Sequence, residues 1–529
     1  MKDKILYLAL LFFMPLCDVC GQTKDVTLAR DLSGRQYKGV EELFETGISN
    51  VGFSSDERYA SIVTGNVGAG TFSSGKSQIS LFDMKMNRVL WTHEVKGTAK
   101  TAIPTKYGVF ANVGDKVEVL DFGSGLYRRE LKIRPVYMDD SLDLILGYKG
   151  GSDHKLMCHR LSDGSERWQG KVDIDHSWGW DEVMELPGNR LLLVADDICL
   201  IDLLTGQITT HAAMTGYTKG SVKLAHFADS FVTGFLFGAM SYVLFPQGGF
   251  SIGYNVMRYD ESVVNHLCSN ILEQDSCYYI SDRNSLRAFD KDLHQLWEYK
   301  YPSERASKSF LFGQHGTIYM LNMGFGVRGT GETVKDSRPF IASLNSHTGE
   351  PFFFKPLTVK NEMLNDAMIT PWEAWYLQDD GLVFQRDIND SEINMSEWDT
   401  KKGLITEAVR DTIYVKNDST RRLEPVWCDW KQLPVKLNNG NVVVVDQRLN
   451  EVAFYPREKV YYQLQEDECY RYVCRNRDKN SLEIWMLGRS DVDRQIRLTK
   501  GACQVWKYGN MVYYTTERSL CYFELTSKE

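Results

Sequence analysis

One short phrase recurs along the chain: an apolar strand that ends in an acidic or small polar residue, a tight turn, then a second apolar strand that often carries Trp. It occurs as Leu81-Phe82-Asp83 to Leu90-Trp91, as Val119-Leu120-Asp121-Phe122-Gly123-Ser124-Gly125, as Arg160-Leu161-Ser162-Asp163-Gly164 to Trp168, and as Leu200-Ile201-Asp202-Leu203-Leu204-Thr205-Gly206. Later copies are Ala288-Phe289-Asp290 to Leu296-Trp297, Ser343-Leu344-Asn345-Ser346-His347-Thr348-Gly349, and Val444-Val445-Asp446 to Phe454. A sheet-forming unit repeated at a nearly fixed period is the mark of a β-propeller or a related array. Such a chain folds as one ring of stacked sheets, because each unit buries its faces only on its neighbours.

The spacing fits. Asp83 to Asp121 is 38 residues, Asp121 to Arg160 is 39 and Arg160 to Asp202 is 42, whereas a four-stranded blade takes about 40 to 50. Asp202 to Asp290 is 88, which predicts one degenerate unit in between, and Asn345 to Asp446 is 101, which hides at least one more. The turn chemistry follows from the backbone: Gly tolerates positive φ, and Asp or Asn can accept from its own turn amides. The expectation is an all-β chain, a single β-propeller of about eight four-stranded blades, with seven as the alternative. It would occupy residues 45–529, after a linker over 22–44. Closing the ring should pair Met511-Val-Tyr-Tyr-Thr and Leu520-Cys-Tyr-Phe-Glu-Leu with a strand from near residue 50, since an open propeller leaves edge strands exposed.

A chain of 529 residues exceeds one ordinary core, and blade stacking removes that limit. Aromatic residues make up 12%, which suits half-buried strands. Net charge is −9, so a nucleic-acid role has no electrostatic footprint. Residues 1–21 read as an export signal: Lys2 and Lys4 are followed by an apolar run, Ile5 to Leu16, too short to span a bilayer. Val19 and Gly21 suit cleavage before Gln22. A lipid anchor at Cys17 or Cys20 is the alternative, although Leu16 and Val19 precede those cysteines where a small residue is wanted. The expected location is therefore the periplasm or cell envelope, with no transmembrane span.

Eleven cysteines become nine after such a cleavage, an odd number that leaves at least one thiol free. Cys199 and Cys521 lie in strand patterns and read as buried small hydrophobes. Cys268 with Cys277, and Cys469 with Cys474, are close enough in sequence to bridge. No paired CxxC motif of a zinc site occurs.

Several motifs compete with plainer readings. Gly70-Thr-Phe-Ser-Ser-Gly75-Lys76-Ser77 spells a phosphate-binding loop, yet Gln78-Ile-Ser-Leu-Phe-Asp alternates as a strand where that chemistry requires a helix. Gly324-Phe-Gly326-Val-Arg-Gly329 spells a dinucleotide fingerprint without an apolar helix after it. Residues 323–338 and 387–402 read as long loops, and loops carry propeller function. Residues 231–257 are far more apolar than their neighbours and read as the buried degenerate blade, or else as an apolar hairpin that docks on a partner.

The densest polar and aromatic cluster is Asp173-Ile-Asp175-His176-Ser-Trp178-Gly-Trp180-Asp181-Glu182. Asp173, Asp175, Asp181 and Glu182 are candidate ligands for a hard cation such as calcium, and His176, Trp178 and Trp180 are candidate ligand or partner contacts. The plainer reading packs the indoles between blades and leaves the acids in water. No HExxH pair or GxSxG elbow is present, so no catalytic residue is assigned.

The phrase apolar-Asp-x-x-Thr-Gly, followed by Trp, resembles the pyrroloquinoline-quinone-like (quinoprotein-like) β-propeller repeat. Ile201-Asp202-Leu-Leu-Thr205-Gly206-Gln207 and Leu344-Asn345-Ser-His-Thr348-Gly349-Glu350 match best, with Leu161 to Trp168 and Phe289-Asp290 to Trp297 partial. The resemblance implies that Gly closes the hairpin and Trp docks onto the next blade. Enzymes of the family use adjacent cysteines, a calcium and an Asp base. This chain has no Cys-Cys pair, so it looks more like the non-catalytic branch, and the quinone cofactor is not expected. The sequence thus leads to an exported, non-enzymatic propeller that binds one or more envelope proteins as a scaffold. A carbohydrate- or metal-binding propeller, or a quinoprotein-like enzyme using the central channel, stands as the alternative.

Overall fold

The structure is a computed structural model. It describes residues 22–525 apart from 66–75, 175–179, 219–262 and shorter stretches, most of them between 358 and 493; residues 1–21 and 526–529 also lie outside the described residues. The export signal, the lipid-anchor cysteines, most of the phosphate-loop spelling and the apolar run 231–257 therefore fall outside them.

Among the described residues the chain is all β, with two single-turn 3₁₀ segments and no α-helix. Eight four-stranded antiparallel sheets follow one another, each built from its own stretch of chain. Unit 1 comprises Ile48–Phe53, Tyr59–Thr64, Ser77–Asp83 and Arg88–Val95. Units 2 to 8 span 99–131, 133–171, 182–211, 272–300, 309–356, 364–396 and 405–455. Middle strands are sealed on both faces, as in Arg190–Val194 and Ile198–Asp202, whereas fourth strands such as Gln295–Lys300 alternate with solvent. That gradient places the fourth strand on the outside, as in a propeller.

The cores lie between consecutive units. Val63, Ile79 and Leu81 of unit 1 meet Ala102, Val109 and Ala111 of unit 2, and Leu146 and Cys158 of unit 3 meet Leu191 and Leu193 of unit 4. Units 4 and 5, 5 and 6, and 6 and 7 share cores in the same way.

The remaining strands belong to one eleven-stranded sheet. It contains two further four-strand sets: unit 9, over 460–498, and unit 10, made of Gln504–Tyr508, Met511–Thr515, Ser519–Glu524 and the early strand Gln36–Leu43. Apart from one accessory four-stranded sheet, the described residues thus hold ten four-strand sets, not the eight or seven expected, because residues 460–524 together with Gln36–Leu43 carry two sets without the repeating phrase. Residues 22–44 are not a linker: Gln22–Asp31 and Gln36–Leu43 form a hairpin whose first strand pairs with Arg494–Leu498 and whose second pairs with Ser519–Glu524. The C-terminal strand thus finds its partner earlier in the chain than residue 50. Unit 10 also packs on unit 1, through Tyr513, Leu520 and Tyr522 against Ile62 and Phe82.

The repeated turn does what its residue types predict. Asp202 Oδ1 accepts from the amides of Leu204 (3.0 Å) and Thr205 (2.7 Å), and Asn345 Oδ1 from those of His347 (2.9 Å) and Thr348 (3.1 Å). Gly206 sits at φ +76°, and a Cβ there would lie 2.5 Å from the Trp168 ring. The Trp168 indole then donates to Leu203 O at 2.8 Å, which staples unit 3 to the turn of unit 4. Trp91 to Phe122 O (2.8 Å) and Trp297 to Ser346 O (2.9 Å) repeat the device. Where Trp is missing another donor serves: Arg129 reaches Leu161 O at 2.5 Å, Arg190 reaches Lys291 O at 3.2 Å, and Tyr513 of unit 10 reaches Met84 O of unit 1 at 2.8 Å.

Candidate functional site

In an antiparallel four-strand unit, the first-to-second and third-to-fourth connections lie at one end of the sheet. The second-to-third connection and the passage to the next unit lie at the other. The two ends differ in this protein. The first, here the turn end, carries short turns such as Pro187-Gly188-Asn189 and Leu203 to Gln207. The second, the loop end, carries residues 65–76 within unit 1, 172–181 between units 3 and 4, 212–271 between units 4 and 5, and 323–339 within unit 6. The exception is in unit 8, where 409–432 at the turn end contains the hairpin Ile413–Lys416 with Leu423–Pro425.

The stretch 323–338, expected to be a loop, contains strands: Phe325–Arg328 and Thr333–Lys335 pair as a hairpin. The hairpin continues through Val263–Asn265 to Tyr217–Thr218, giving an accessory four-stranded sheet at the loop end. Val263–Asn265 and Tyr217–Thr218 are all that the described residues show in the 88-residue gap where a degenerate unit was expected, outside the strands of units 4 and 5.

Buried polar groups root this sheet. Arg283, in the turn between the middle strands of unit 5, donates to Asp336 Oδ2 at 2.5 Å, with side chains 5% and 0% exposed. Two residues along the accessory arm's return, Asn322 Nδ2 donates to Ser337 Oγ (2.9 Å) and Arg338 O (2.7 Å), and Ser337 Oγ donates to Ser307 Oγ (2.8 Å). Arg287 pairs with buried Asp282 and donates to Ala212 O at 2.7 Å, tying the start of the 212–271 connection to unit 5. A buried ion pair contributes little net stability, but losing one partner strands a charge, so such pairs fix geometry.

The candidate residues of 173–182 are split among different partners. Asp173 takes Lys171 at 2.8 Å and His154 at 2.7 Å. Burial raises its pKa, and those two neighbours together hold it below the usual carboxylate value. Glu182 begins the first strand of unit 4 and takes Lys308 Nζ at 3.0 Å, just ahead of the first strand of unit 6. Burial works against the Lys308 ammonium, yet Glu182 beside it keeps its pKa above the ordinary lysine value. Asp181 Oδ2 faces the Cys268 thiol at 3.9 Å. Trp180 packs against the core between units 3 and 4 and donates to Tyr148 Oη at 3.0 Å. Asp175, His176 and Trp178 lie outside the described residues. Among the described residues no group of three or more His, Cys, Asp and Glu side chains is placed to hold a metal ion, and no helix is long and apolar enough to cross a membrane. Cys268 and Cys277 are free thiols, and burial pushes the thiols of Cys158 and Cys199 up to about 12.

The sequence reading overlooked Arg283, Asp336, Asp282, Arg287 and Lys308. None sits in a motif; Arg283 and Asp336 are 53 residues apart and Lys308 is 126 from Glu182, while Asp282 and Arg287 are close in sequence without forming a recognisable pattern.

No protein-family model and no curated protein matches the chain. Among solved structures it is similar to BamB from Moraxella catarrhalis, at 13% identity and TM-score 0.30, over 69% of this chain and 92% of that one. It is also similar to the computationally designed Ika8 protein, at 10% identity and TM-score 0.30, over 82% and 97%. A third likeness is to KlHsv2 with loop 6CD replaced by a Gly-Ser linker, at 7% identity and TM-score 0.27, over 76% and 93%. Likenesses this distant carry no functional argument.

Proposed function

We propose that this protein is an exported, non-enzymatic β-propeller, its sheets closed into one ring by the pairing of Gln36–Leu43 with Ser519–Glu524, which binds a protein partner in the bacterial envelope through its loop end. The observation that carries this reading is the asymmetry of the connections. Long connections concentrate at one end, and the accessory sheet there is rooted by a fully buried Arg283–Asp336 pair. A rigid scaffold that presents variable connections from one face is how loop-based recognition is built. Export rests on the pattern of residues 1–21, and a lipid anchor at Cys17 or Cys20 would hold the ring at a membrane surface.

The test places a photo-crosslinking residue at Lys335, on the accessory sheet, and separately at Ser124, in a turn-end turn, in the native host. Adducts of defined mass from position 335 and none from 124 are expected. Equal labelling from both, or labelling from 124 alone, would sink the assignment of the loop end.

A further inference from the structure

In unit 3 the register brings like charges together. Lys155, the first residue of Lys155–His159, pairs directly with Lys171, the last of Glu166–Lys171. The register of the preceding pair, Tyr148 with Leu156, carried one step further sets Lys149 opposite Lys155. Three lysines on adjacent strands therefore share one row and one face of the sheet, at its loop end. Neighbouring strands lie about 4.8 Å apart, so the row spans roughly 10 Å. Like charges directly opposite each other destabilise a sheet, and in a chain of net charge −9 cations are not in general surplus.

The surroundings leave the row positive. Lys171 is tied to Asp173, and Glu118 and Glu130 are taken by Lys116. Lys149 and Lys155 have no side-chain partner among the described residues, and Lys132, one residue before the first strand of unit 3, has only the Glu130 carboxylate that Lys116 already holds as an electrostatic neighbour. Two open clefts flank the row: one of about 560 Å³ lined by His154, Lys155, Gln169 and Lys171, the other of about 440 Å³ lined by Asp115, Lys132 and Lys149. Gln169 is exposed and, two residues before Lys171, stands on the same face of its strand.

We infer that this row binds a carboxylated polysaccharide. Each ammonium is a point charge that needs no planar, bidentate partner, so it suits single anionic groups met one at a time. A row of such charges at strand spacing matches a linear polyanion whose charges recur along the chain, and the Gln169 amide offers both a donor and an acceptor for sugar hydroxyls. The assignment does not depend on the protein-partner reading, which rests on units 4 to 6.

The experiment measures binding of polygalacturonate, with dextran as the uncharged control and polyphosphate as the alternative anion, across a salt series. Wild type should bind polygalacturonate at low salt, lose it as screening grows, and ignore dextran. The triple variant K132Q/K149Q/K155Q should bind at least tenfold more weakly, the single K155Q at least threefold, and the control K85Q, in a turn of unit 1, as wild type. Both row variants should melt no lower than wild type, since a repulsive pair has been removed. No polygalacturonate binding, stronger binding of polyphosphate, equal binding of dextran, or unchanged affinity in the triple variant would each overturn the assignment.

Discussion

The two ends of the same sheets are held by different means. At the turn end one local device repeats: a carboxylate or amide oxygen organises the turn, a glycine clears the approach, and a donor from the preceding unit reaches the turn carbonyl. At the loop end nothing repeats, and the geometry rests on individual pairs, the long-range Arg283–Asp336 and Glu182–Lys308 and the local Arg287–Asp282. A modular device tolerates substitution of its parts, as Arg129 and Tyr513 show by standing in for Trp. A pair that occurs once has no substitute.

The comparison can be broken most drastically at the seam, where the turn-end device links the last unit to the first. Deleting residues 508–529 removes two strands of unit 10 together with the Tyr513 contact to Met84 O. Loss of cooperative unfolding in denaturant is expected; a truncated chain that melts like full length would show the units to be independent. At the loop end, Arg283→Met leaves the Asp336 carboxylate buried and uncompensated, which should cost about 3–5 kcal/mol. Adding Asp336→Leu should restore much of that, and failure of the restoration would mean that the pair is not the anchor.

A turn-end change should cost less. Trp168→Phe leaves Leu203 O without its donor, for about 1–3 kcal/mol, and Trp168→Arg should recover part of the loss if the staple is interchangeable. A smaller effect concerns Glu42 in the seam strand. Burial pushes its pKa above 4.5, against the pull of the Tyr522 hydroxyl at 3.3 Å. A carboxyl with a raised folded-state pKa favours the fold below its unfolded value and loses that contribution as pH rises through the folded value. Glu42→Gln should therefore stabilise by about 1 kcal/mol at pH 8 and leave stability unchanged below pH 4.5. If the gain persists in acid, burial of the charge is not its source. The smallest effect is expected from calcium: with Asp173 and Glu182 already facing Lys171 and Lys308, millimolar calcium should leave the melting temperature unmoved. A calcium-dependent rise abolished by Asp175→Ala with Asp181→Ala would reverse that assignment.

What could be read from the sequence follows the same division. The Asp202 turn, Gly206 and the Trp168 staple were legible because their chemistry is local and recurs. Units 9 and 10 were not counted, because they lack the apolar-Asp turn followed by Trp on the next strand: Trp485 and Trp506 stand on the third strand of unit 9 and the first of unit 10. The hairpin at Phe325–Arg328 was hidden because it is short and Gly-rich, and its partner strand begins sixty residues upstream. Glu182 was singled out for its neighbours in sequence, while its partner in space is Lys308, 126 positions away. Pairing across such distances leaves no trace in periodicity or composition.

The strand Gln36–Leu43 is made long before the strand inside it in unit 10, Ser519–Glu524: Glu42 and the Tyr522 that contacts it are 480 residues apart. At ordinary translation rates that gap is roughly 24 to 96 s. For that interval a nascent chain carries an unmatched strand edge, the kind that recruits foreign strands. A message cut short anywhere downstream leaves the edge unmatched for good. The seam thus makes completion of unit 10 depend on synthesis through residue 524.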